Sequence, residues 1–255
     1  MPFEKIQPEK LSGGVVRQIE LLILEGILRP GERLPAEREL AERMGVSRPS
    51  LREAVADLQT KGLLTAKAGS GIYVADVLTS AFSPALASLF AEHDRAKLDV
   101  LSFRRDIEGL AAERAARQGS DTDLAVIAEI FAKMENAHGA GDAEAEAALD
   151  AEFHLAIIEA SHNVIMIHMM RSMYDLLHQG VFFNRQIMFR HKTTADTLLD
   201  QHKSINAALQ ARDGARARAA LEDHIEYVET QVSDHRRAED NEHAARRRLE
   251  HEKSR

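Results

Sequence analysis

The sequence predicts a mainly α fold, with an N-terminal winged helix-turn-helix that carries a small β-hairpin wing and a C-terminal all-α helical bundle. Three observations support this fold class. Only 14 glycines and 6 prolines occur among 255 residues, and alanine and leucine are abundant, which is typical of helical proteins. Apolar residues recur at helical spacing through most of the chain. Two short apolar runs, "LLTAK" and "GIYVA", flank the turn "AGSG" as the strands of a hairpin do.

Three helices are predicted ahead of the hairpin, within a domain of residues 1–75. They cover Val15–Leu28, Ala36–Met44 and about Arg48–Thr60. Gly45 ends the second helix, and the side chain of Ser47 can cap the third. The order helix, helix, tight turn, helix and hairpin is that of a winged helix-turn-helix.

The rest of the chain is predicted to form a linker, a helical domain and a charged tail. The hydrophobic pattern weakens over residues 76–96, and every long segment within residues 97–235 is helical. Short polar or glycine-bearing breaks separate six predicted helices: Leu98–Gln118, Asp121–His138, Ala143–Ala160, Val164–Met188, Ala195–Ala211 and Gly214–His235. Residues 236–255 are nearly all charged, which predicts a fraying helix or a disordered tail.

Charge and composition exclude several classes of protein. The net charge is −8, but the first 75 residues hold 11 basic and 10 acidic side chains, against 22 and 31 in the remainder. The overall sign therefore does not exclude DNA binding by the N-terminal domain. The absence of cysteine excludes disulfides, thiolate metal ligands and a cysteine nucleophile. No apolar run approaches the ~20 residues of a membrane span, and "MPFEKIQPEK" lacks a signal-peptide pattern. We therefore expect a cytoplasmic protein without a membrane partner.

The segment "MGVSRPSLREAVADLQTKGL" predicts a helix that recognises DNA. Leu51, Val55 and Leu58 form one apolar stripe along it. Arg48 and Arg52 lie one turn apart outside that stripe, where a recognition helix meets bases and phosphates. An arginine can bond a guanine edge through two hydrogen bonds. The alternative is that both arginines are ordinary solvated charges.

Other residues of this domain could contact the DNA backbone. Ser47 and Ser50 lie at the N-terminus of the third helix, which favours a phosphate. Arg38 on the preceding helix could reach the backbone, and Lys67 with the tip Gly69–Ser70–Gly71 could lie along the neighbouring groove.

The segment "LPAERELAERMGVSRPSLREAVADLQTKGLLTAKAGSGIYV" resembles the winged-helix domain of GntR-type bacterial transcriptional regulators. The resemblance covers essentially all of residues 33–74. It implies four contacts with operator DNA and three neighbouring contact positions: Arg38, Arg48, Arg52 and Gly69, then Ser47, Pro49 and Ser50. Two departures matter. Ala36 replaces a serine often found before "ER", which removes a possible helix cap, and Pro49 cannot donate a backbone hydrogen bond, so its contact must be apolar.

A second group of residues has the chemistry of a metal site. Asp150 and His154 share one helix face at i and i+4, and His202 and His224 lie on two later amphipathic helices. Three imidazoles and one carboxylate suit Zn, Ni, Mn or Fe and leave coordination positions for a ligand. The alternative is that these are hydrogen-bonded core residues, since the chain has 12 histidines.

Residues ~97–235 resemble the all-helical effector domain of the FadR subgroup, the FCD domain. The resemblance implies one divalent transition metal per chain, with zinc as the first expectation. Its ligands would be a D-x-x-x-H pair and two later histidines, which match Asp150, His154, His202 and His224. Four other histidines of this region have no counterpart and are interpreted as surface, polar-layer or pocket-rim residues: His162, His168, His178 and His191.

The segment "FRRDIEGLAAERAA" opens the same domain. In the family, the arginine four residues before the glutamate lies near the effector pocket, which corresponds here to Arg104 before Glu108. Arg105 is the competing assignment, and a surface Arg104–Glu108 pair is the alternative to any pocket. A cation buried beside a metal requires an anion between them, which the effector would supply. The segment "ASHNVIMIHMMRSMYDLL" would line the other side, with Asn163 as a candidate contact.

These observations predict a ligand-responsive transcriptional regulator rather than an enzyme. As a homodimer it would bind a pseudo-palindromic operator in double-stranded DNA and be released by a small carboxylate, a 2-hydroxy or 2-oxo acid, at the metal. The "FHLAIIEASHN" region and the charged tail resemble the branch that answers to lactate, glycolate or pyruvate. The alternatives are a metal-dependent hydrolase fused to a DNA-binding domain, with Glu152 or Glu226 as base, and a ligand-independent DNA-binding protein.

Overall fold

The computed structural model describes residues 11–67, 70–75, 88–90, 93–178 and 192–253. Its contacts divide the chain into two compact units between residues 81 and 82, within the predicted linker. Gly69, Met188 and His191, which the sequence analysis singled out, lie outside the described residues.

Where the structure describes the N-terminal unit, it contains three helices and a hairpin. Their bounds are α1 Leu11–Leu24, α2 Glu37–Arg43, α3 Arg48–Thr60, β1 Leu64–Lys67 and β2 Gly71–Val74. The strands are antiparallel, with Leu64 opposite Val74 and Lys67 opposite Gly71. The predicted winged helix-turn-helix is confirmed.

Local signals set the ends of these helices. The Ser47 hydroxyl accepts a hydrogen bond from the Ser50 amide at 3.2 Å. As predicted, α3 begins at Arg48, directly after Ser47. Ala36 gives α2 no side-chain cap. The predicted end of α1 at Leu28 is wrong, because Gly26 takes a left-handed φ of +71° and ends the helix at Leu24.

The core of this unit is built on α3. Leu51, Ala54, Val55 and Leu58 are all buried on one face, against Ile19 of α1. The predicted apolar stripe is therefore confirmed, and the opposite face of α3 is left to solvent.

The described residues of the C-terminal unit contain six long helices. Their bounds are α4 Asp94–Gln118, α5 Asp121–Ala140, α6 Ala143–Ala160, α7 Val164–His178, α8 Lys192–Gln210 and α9 Gly214–Lys253. α4 begins inside the predicted linker, at Asp94. α9 does not end near residue 235 but continues to Lys253, where i,i+4 pairs such as Arg246–Glu242, 2.8 Å apart, support it.

The helices enclose an apolar core against which the polar site is set. α9 packs along α4, α6 packs on α5, and α8 packs on α9. Gly214 allows the first of these contacts, because a Cβ there would lie 3.0 Å from the backbone oxygen of Glu113. Phe153 and Ile157 of α6 and Ile205 of α8 are fully buried at the centre.

One histidine ties three helices together. His138 of α5 places Nδ1 3.0 Å from Oε2 of Glu146 on α6, and Nε2 3.0 Å from Oδ1 of Asp196 on α8. The hydrogen bond to Glu146 raises the pKa of His138, and partial burial offsets only part of this effect.

We expect the stabilisation by His138 to be lost as the pH rises. Its folded-state pKa lies above the unfolded value of about 6.5. The protonated ring therefore stabilises the fold fully below that value, and the contribution disappears as the pH rises through the folded-state pKa. Because the ring is partly exposed to solvent, His138→Gln should cost only roughly 1 kcal/mol of unfolding free energy at low pH.

Urea unfolding of chelator-treated protein, at about pH 6 and about pH 9, measures this effect. His243→Gln, at an exposed position of α9, is the control. An equal cost of His138→Gln at both pH values would contradict the interpretation.

Candidate metal centre and nucleic-acid interface

Three helices bring the four candidate ligands to one point. α6 supplies Asp150 and His154 from one face, α8 supplies His202, and α9 supplies His224. One ligand atom from each side chain can be chosen so that all four lie within 4.8 Å of one another. All four side chains are buried.

The distances between these atoms suit a metal ion. Oδ1 of Asp150 lies 3.1 Å from Nε2 of His202 and 3.7 Å from Nε2 of His154, which in turn lies 3.2 Å from Nε2 of His224. Ligands at about 2.0 Å from a tetrahedral zinc are separated by about 3.3 Å. The group therefore has the size of a first coordination sphere.

The rings of His224 and His154 each place Nδ1 beside an oxygen. Nδ1 of His224 donates to Oε1 of Gln201 at 3.0 Å, whereas Nδ1 of His154 lies 2.6 Å from Oε2 of Glu108 without the geometry of a hydrogen bond. A neutral ring that is protonated on Nδ1 presents a lone pair on Nε2. The two Nε2 atoms of His154 and His224 thus face each other with lone pairs, and both nitrogens of His202 lack a hydrogen bond within the described residues. A cation between these atoms would satisfy all three rings.

Burial keeps two of these rings neutral. It lowers the pKa of His154, and it lowers that of His224 well below the usual value, with His202 and His154 adding to the shift. Neutral imidazole is the form that binds metal ions. The electrostatics therefore favour the form of the site that a metal needs.

A buried network of charges adjoins the ligands. On α4, Nε of Arg104 donates to Oε1 of Glu108 at 2.6 Å, and its Nη2 donates to the Tyr174 hydroxyl of α7 at 2.9 Å. The Tyr174 hydroxyl donates to Oε1 of Glu108 at 3.0 Å. Burial alone would raise the pKa of Glu108, but Arg104 and His154 outweigh it and lower that pKa to about 2. Burial opposes the charge of Arg104 as well, and Glu108 more than compensates, so the pKa of Arg104 is raised.

Arg104 faces this network and Arg105 does not. The Arg105 side chain is about a third exposed and lies 3.8 Å from Asp106 and from Glu229. The alternative of a surface Arg104–Glu108 pair is wrong, because both side chains are almost completely buried.

Asn163 caps a helix, while its predicted contact with an effector stays a prediction. Its Oδ1 accepts hydrogen bonds from the amides of Ile165 and Met166, each at 3.1 Å, so it caps the N-terminus of α7. α7 brings the hydroxyl of Tyr174 to the site. Tyr174 was not among the predicted site residues, although it lies in the segment expected to line the side of the pocket opposite Arg104.

Of the four histidines interpreted as surface, polar-layer or pocket-rim residues, two have described side chains, and neither joins the ligand group. His162 is exposed and pairs with Asp123 at 2.9 Å, and His168 is half-buried. The side chain of His178 lies outside the described residues.

The candidate DNA surface is carried by the exposed face of α3. Side chains of Arg48 and Arg52 are 58% and 63% exposed, and both are held by one acid of α2. Nε of Arg52 lies 2.8 Å from Oε2 of Glu37, and Nη2 of Arg48 lies 3.9 Å from the same oxygen. Exposed pairs of this kind are weak, so both arginines can exchange Glu37 for a stronger anionic partner.

The remaining predicted contact residues flank this face. Arg38 is exposed on α2, and Pro49 is exposed in the first turn of α3. The Ser47 and Ser50 hydroxyls lie 2.9 Å apart at the helix N-terminus. Lys67 is exposed at the end of β1 with Nζ over the Tyr73 ring, at 4.6 Å from the centroid.

Across the part of the chain that the structure describes, no helix is long and apolar enough to cross a membrane.

Two known protein families match the chain, one on each side of the boundary between its two compact units. Residues 11–74 match the gntR family of bacterial regulatory proteins, and residues 99–227 match the FCD domain. The "Putative L-lactate dehydrogenase operon regulatory protein" of Escherichia coli (strain K12) is 34% identical over 229 residues, covering 88% of this chain and 87% of that protein. The HTH-type transcriptional regulator LutR of Bacillus subtilis (strain 168) is 33% identical over 83% of this chain and 96% of LutR.

The solved structure of a GntR protein has a similar fold. The GntR protein of Streptococcus agalactiae is 29% identical and superimposes with a TM-score of 0.55, covering 86% of this chain and 99% of that one. The family and these relatives are transcription regulators and not enzymes, so the alternative of a metal-dependent hydrolase is not supported. The chain belongs to the GntR family of DNA-binding bacterial transcription regulators and carries an FCD domain after its winged helix-turn-helix.

Proposed function

We propose that this regulator binds a pseudo-palindromic operator as a homodimer and that a small 2-hydroxy or 2-oxo carboxylate, bound at a metal in the FCD domain, releases it. The observation that carries the proposal is the convergence of Asp150, His154, His202 and His224 beside the buried Arg104. A regulator needs neither feature in order to bind DNA.

The donor set suits one divalent transition metal per chain. Three imidazole nitrogens and one carboxylate oxygen are the ligands that zinc prefers, and nickel, manganese and iron accept them too. When bound, the metal would supply a Lewis-acidic point for a carboxylate oxygen. Arg104 is close enough to Asp150 for their charges to interact, so its guanidinium can hold an anion next to the ligand group.

The choice of a 2-hydroxy or 2-oxo acid has two supports. One relative is named for an L-lactate dehydrogenase operon, and lactate is a 2-hydroxy acid. A carboxylate with an adjacent hydroxyl or keto oxygen can also offer two oxygens in a five-membered chelate. Such a ligand should bind better than a plain monocarboxylate such as acetate.

In this proposal, the exposed residues of the N-terminal unit contact different parts of the operator. Arg48 and Arg52 read base edges in the major groove. Arg38 and the helix N-terminus at Ser47, Pro49 and Ser50 contact the backbone. Lys67 and Gly69 of the wing reach the neighbouring groove. Two such units bind half-sites whose spacing is fixed by the DNA turn, so a ligand that moves the recognition helices apart costs affinity.

We expect the ligand to weaken operator binding by roughly 5–150-fold at saturation, which is the usual range of such coupling. The measurement is operator affinity of zinc-loaded protein in titrations with lactate, glycolate and pyruvate, with acetate as the control. Arg104→Lys keeps the buried charge but loses the two-pronged geometry. It should retain metal and operator binding and respond only at higher ligand concentration.

Two outcomes would count against the proposal. If none of the three acids changes operator affinity, this class of effector is wrong, and a ligand-independent DNA-binding protein becomes the better description. If Arg104→Lys responds like the wild type, Arg104 does not hold the effector.

A further inference from the structure

Glu108 lies between the two halves of the buried site. One carboxylate oxygen, Oε1, accepts from Arg104 at 2.6 Å and from Tyr174 at 3.0 Å. The other, Oε2, lies 2.6 Å from Nδ1 of His154 and 3.4 Å from Nη2 of Arg104. The side chain is only 1% exposed, so its charge is compensated by these neighbours and not by water.

The charges of the site can be counted from the buried residues. Among the described residues, four acids and bases of Asp, Glu, Lys or Arg type are buried: Arg104, Glu108, Glu146 and Asp150. Glu146 lies one helical turn before Asp150, but its charge is paired with His138 at 3.0 Å. The remaining buried charges are Arg104 against Glu108 and Asp150, a net charge of one negative when the imidazoles are in the neutral form that binds a metal. A divalent metal would change that net charge to one positive.

We propose that Glu108 makes the effector site selective for singly charged carboxylates over doubly charged ones. The proposal rests on the function proposed above. A monoanion brings the loaded site to neutrality. A dianion leaves an uncompensated negative charge, which is costly where water is excluded. Without the Glu108 carboxylate the loaded site would carry two positive charges, and a dianion would become the neutralising ligand.

The pairing of Glu108 with Arg104 has a consequence for ligand binding, because a buried guanidinium needs a countercharge and Glu108 supplies it. An ionised acid at this position cancels the charge of Arg104 while it leaves the hydrogen-bonding geometry of the guanidinium in place. Specificity then comes from an unfavourable interaction with the wrong ligand, in addition to the attraction of the right one.

The test compares three ligands by isothermal titration calorimetry with zinc-loaded, full-length protein. Lactate is singly charged, tartronate is a 2-hydroxy acid with a second carboxylate, and the monoamide of tartronate has the size of tartronate with one charge. The wild type should bind lactate and the monoamide at least about tenfold more tightly than tartronate. Zinc content is measured after each titration, because tartronate also chelates metals.

Glu108→Gln is expected to reduce that preference for the monoanions by at least about tenfold, or to reverse it. The reason is that the variant removes one negative charge from the site. Glu113→Gln is the matched control, since Glu113 lies on the same helix and pairs with Arg117 at 2.9 Å outside the site. It should leave the preference unchanged.

The outcomes separate this proposal from the one on which it rests. If lactate binds but tartronate binds equally well to the wild type, the charge argument is wrong and the proposed function stands. Rejection of both tartronate and its monoamide would mean that size, and not charge, selects the ligand. If Glu108→Gln loses its zinc, the comparison of tartronate with its monoamide in the wild type still decides between these results. If no carboxylate binds the wild type, the proposed function fails first and this inference with it.

Discussion

Replacing His202 by alanine is expected to lower the metal content of the purified protein from about one ion per chain to below about one tenth. His202 joins α8 to the ligands of α6, and its two ring nitrogens have no hydrogen bond within the described residues that would hold the ring for another purpose. Losing one of four ligands removes a metal–nitrogen bond and leaves a donor set that is open to water. Elemental analysis of protein purified without chelators measures the result.

The stability of the same variant separates a metal ligand from a core residue. Zinc binds the folded protein and should raise its unfolding free energy by about 4 kcal/mol at a thousandfold excess over its Kd. His202→Ala should lose most of this increment, whereas the two metal-free proteins should differ much less. His162→Ala, at an exposed histidine with a carboxylate partner, is the control and should keep both the zinc and the increment. Wild-type protein that neither contains nor takes up a metal would remove the site altogether.

Arg48→Ala and Arg52→Ala are each expected to cost about 1–3 kcal/mol of operator binding if these residues read base edges. Loss of a phosphate contact would instead weaken all DNA sequences alike and reduce the dependence of affinity on salt. Affinity for operator and for scrambled DNA, each measured at several salt concentrations, distinguishes the two roles. Arg43→Ala is the matched control, since Arg43 pairs with Glu39 on α2 at 2.5 Å.

Glu37 must be included in this experiment. Removing Arg52 leaves the Glu37 carboxylate near the DNA with only the 3.9 Å contact to Arg48, so part of the loss will be repulsion between Glu37 and phosphates. Combining Glu37→Gln with each arginine variant removes that contribution. If the arginine variants bind operator like the wild type with either residue at position 37, the assignment of α3 as recognition helix is wrong.

The N-terminal unit could be predicted almost completely because its signals are local. Gly45 and Ser47 set the start of α3 within three residues of it, and the spacing of its leucines and valine places its buried face. The difference at the end of α1 is also local, since the left-handed φ of Gly26 ends the helix before Leu28. Of the two alternatives predicted for the charged tail, the structure has a helix, which i,i+4 pairs of opposite charge support.

The buried site was predictable only in part. The pairing of Asp150 with His154 follows from one helical turn, but the choice of His202 and His224 from 12 histidines depended on the family resemblance. No spacing rule connects Tyr174 to Arg104, because 70 residues separate them and only the packing of α7 on α4 brings them together. Contacts of this kind are a property of the tertiary structure.

The continuity of α9 has a mechanical consequence. His224 lies near its beginning, and the helix extends 29 residues beyond that ligand to Lys253, or about 44 Å at 1.5 Å per residue. When a straight helix of this length tilts as a rigid body by about 5° at His224, its C-terminal end at Lys253 is displaced by about 4 Å. Motions at the ligand that are too small to resolve directly should therefore be readable as distance changes from probes attached near residue 250. The cysteine-free sequence allows a single cysteine to be introduced there for labelling.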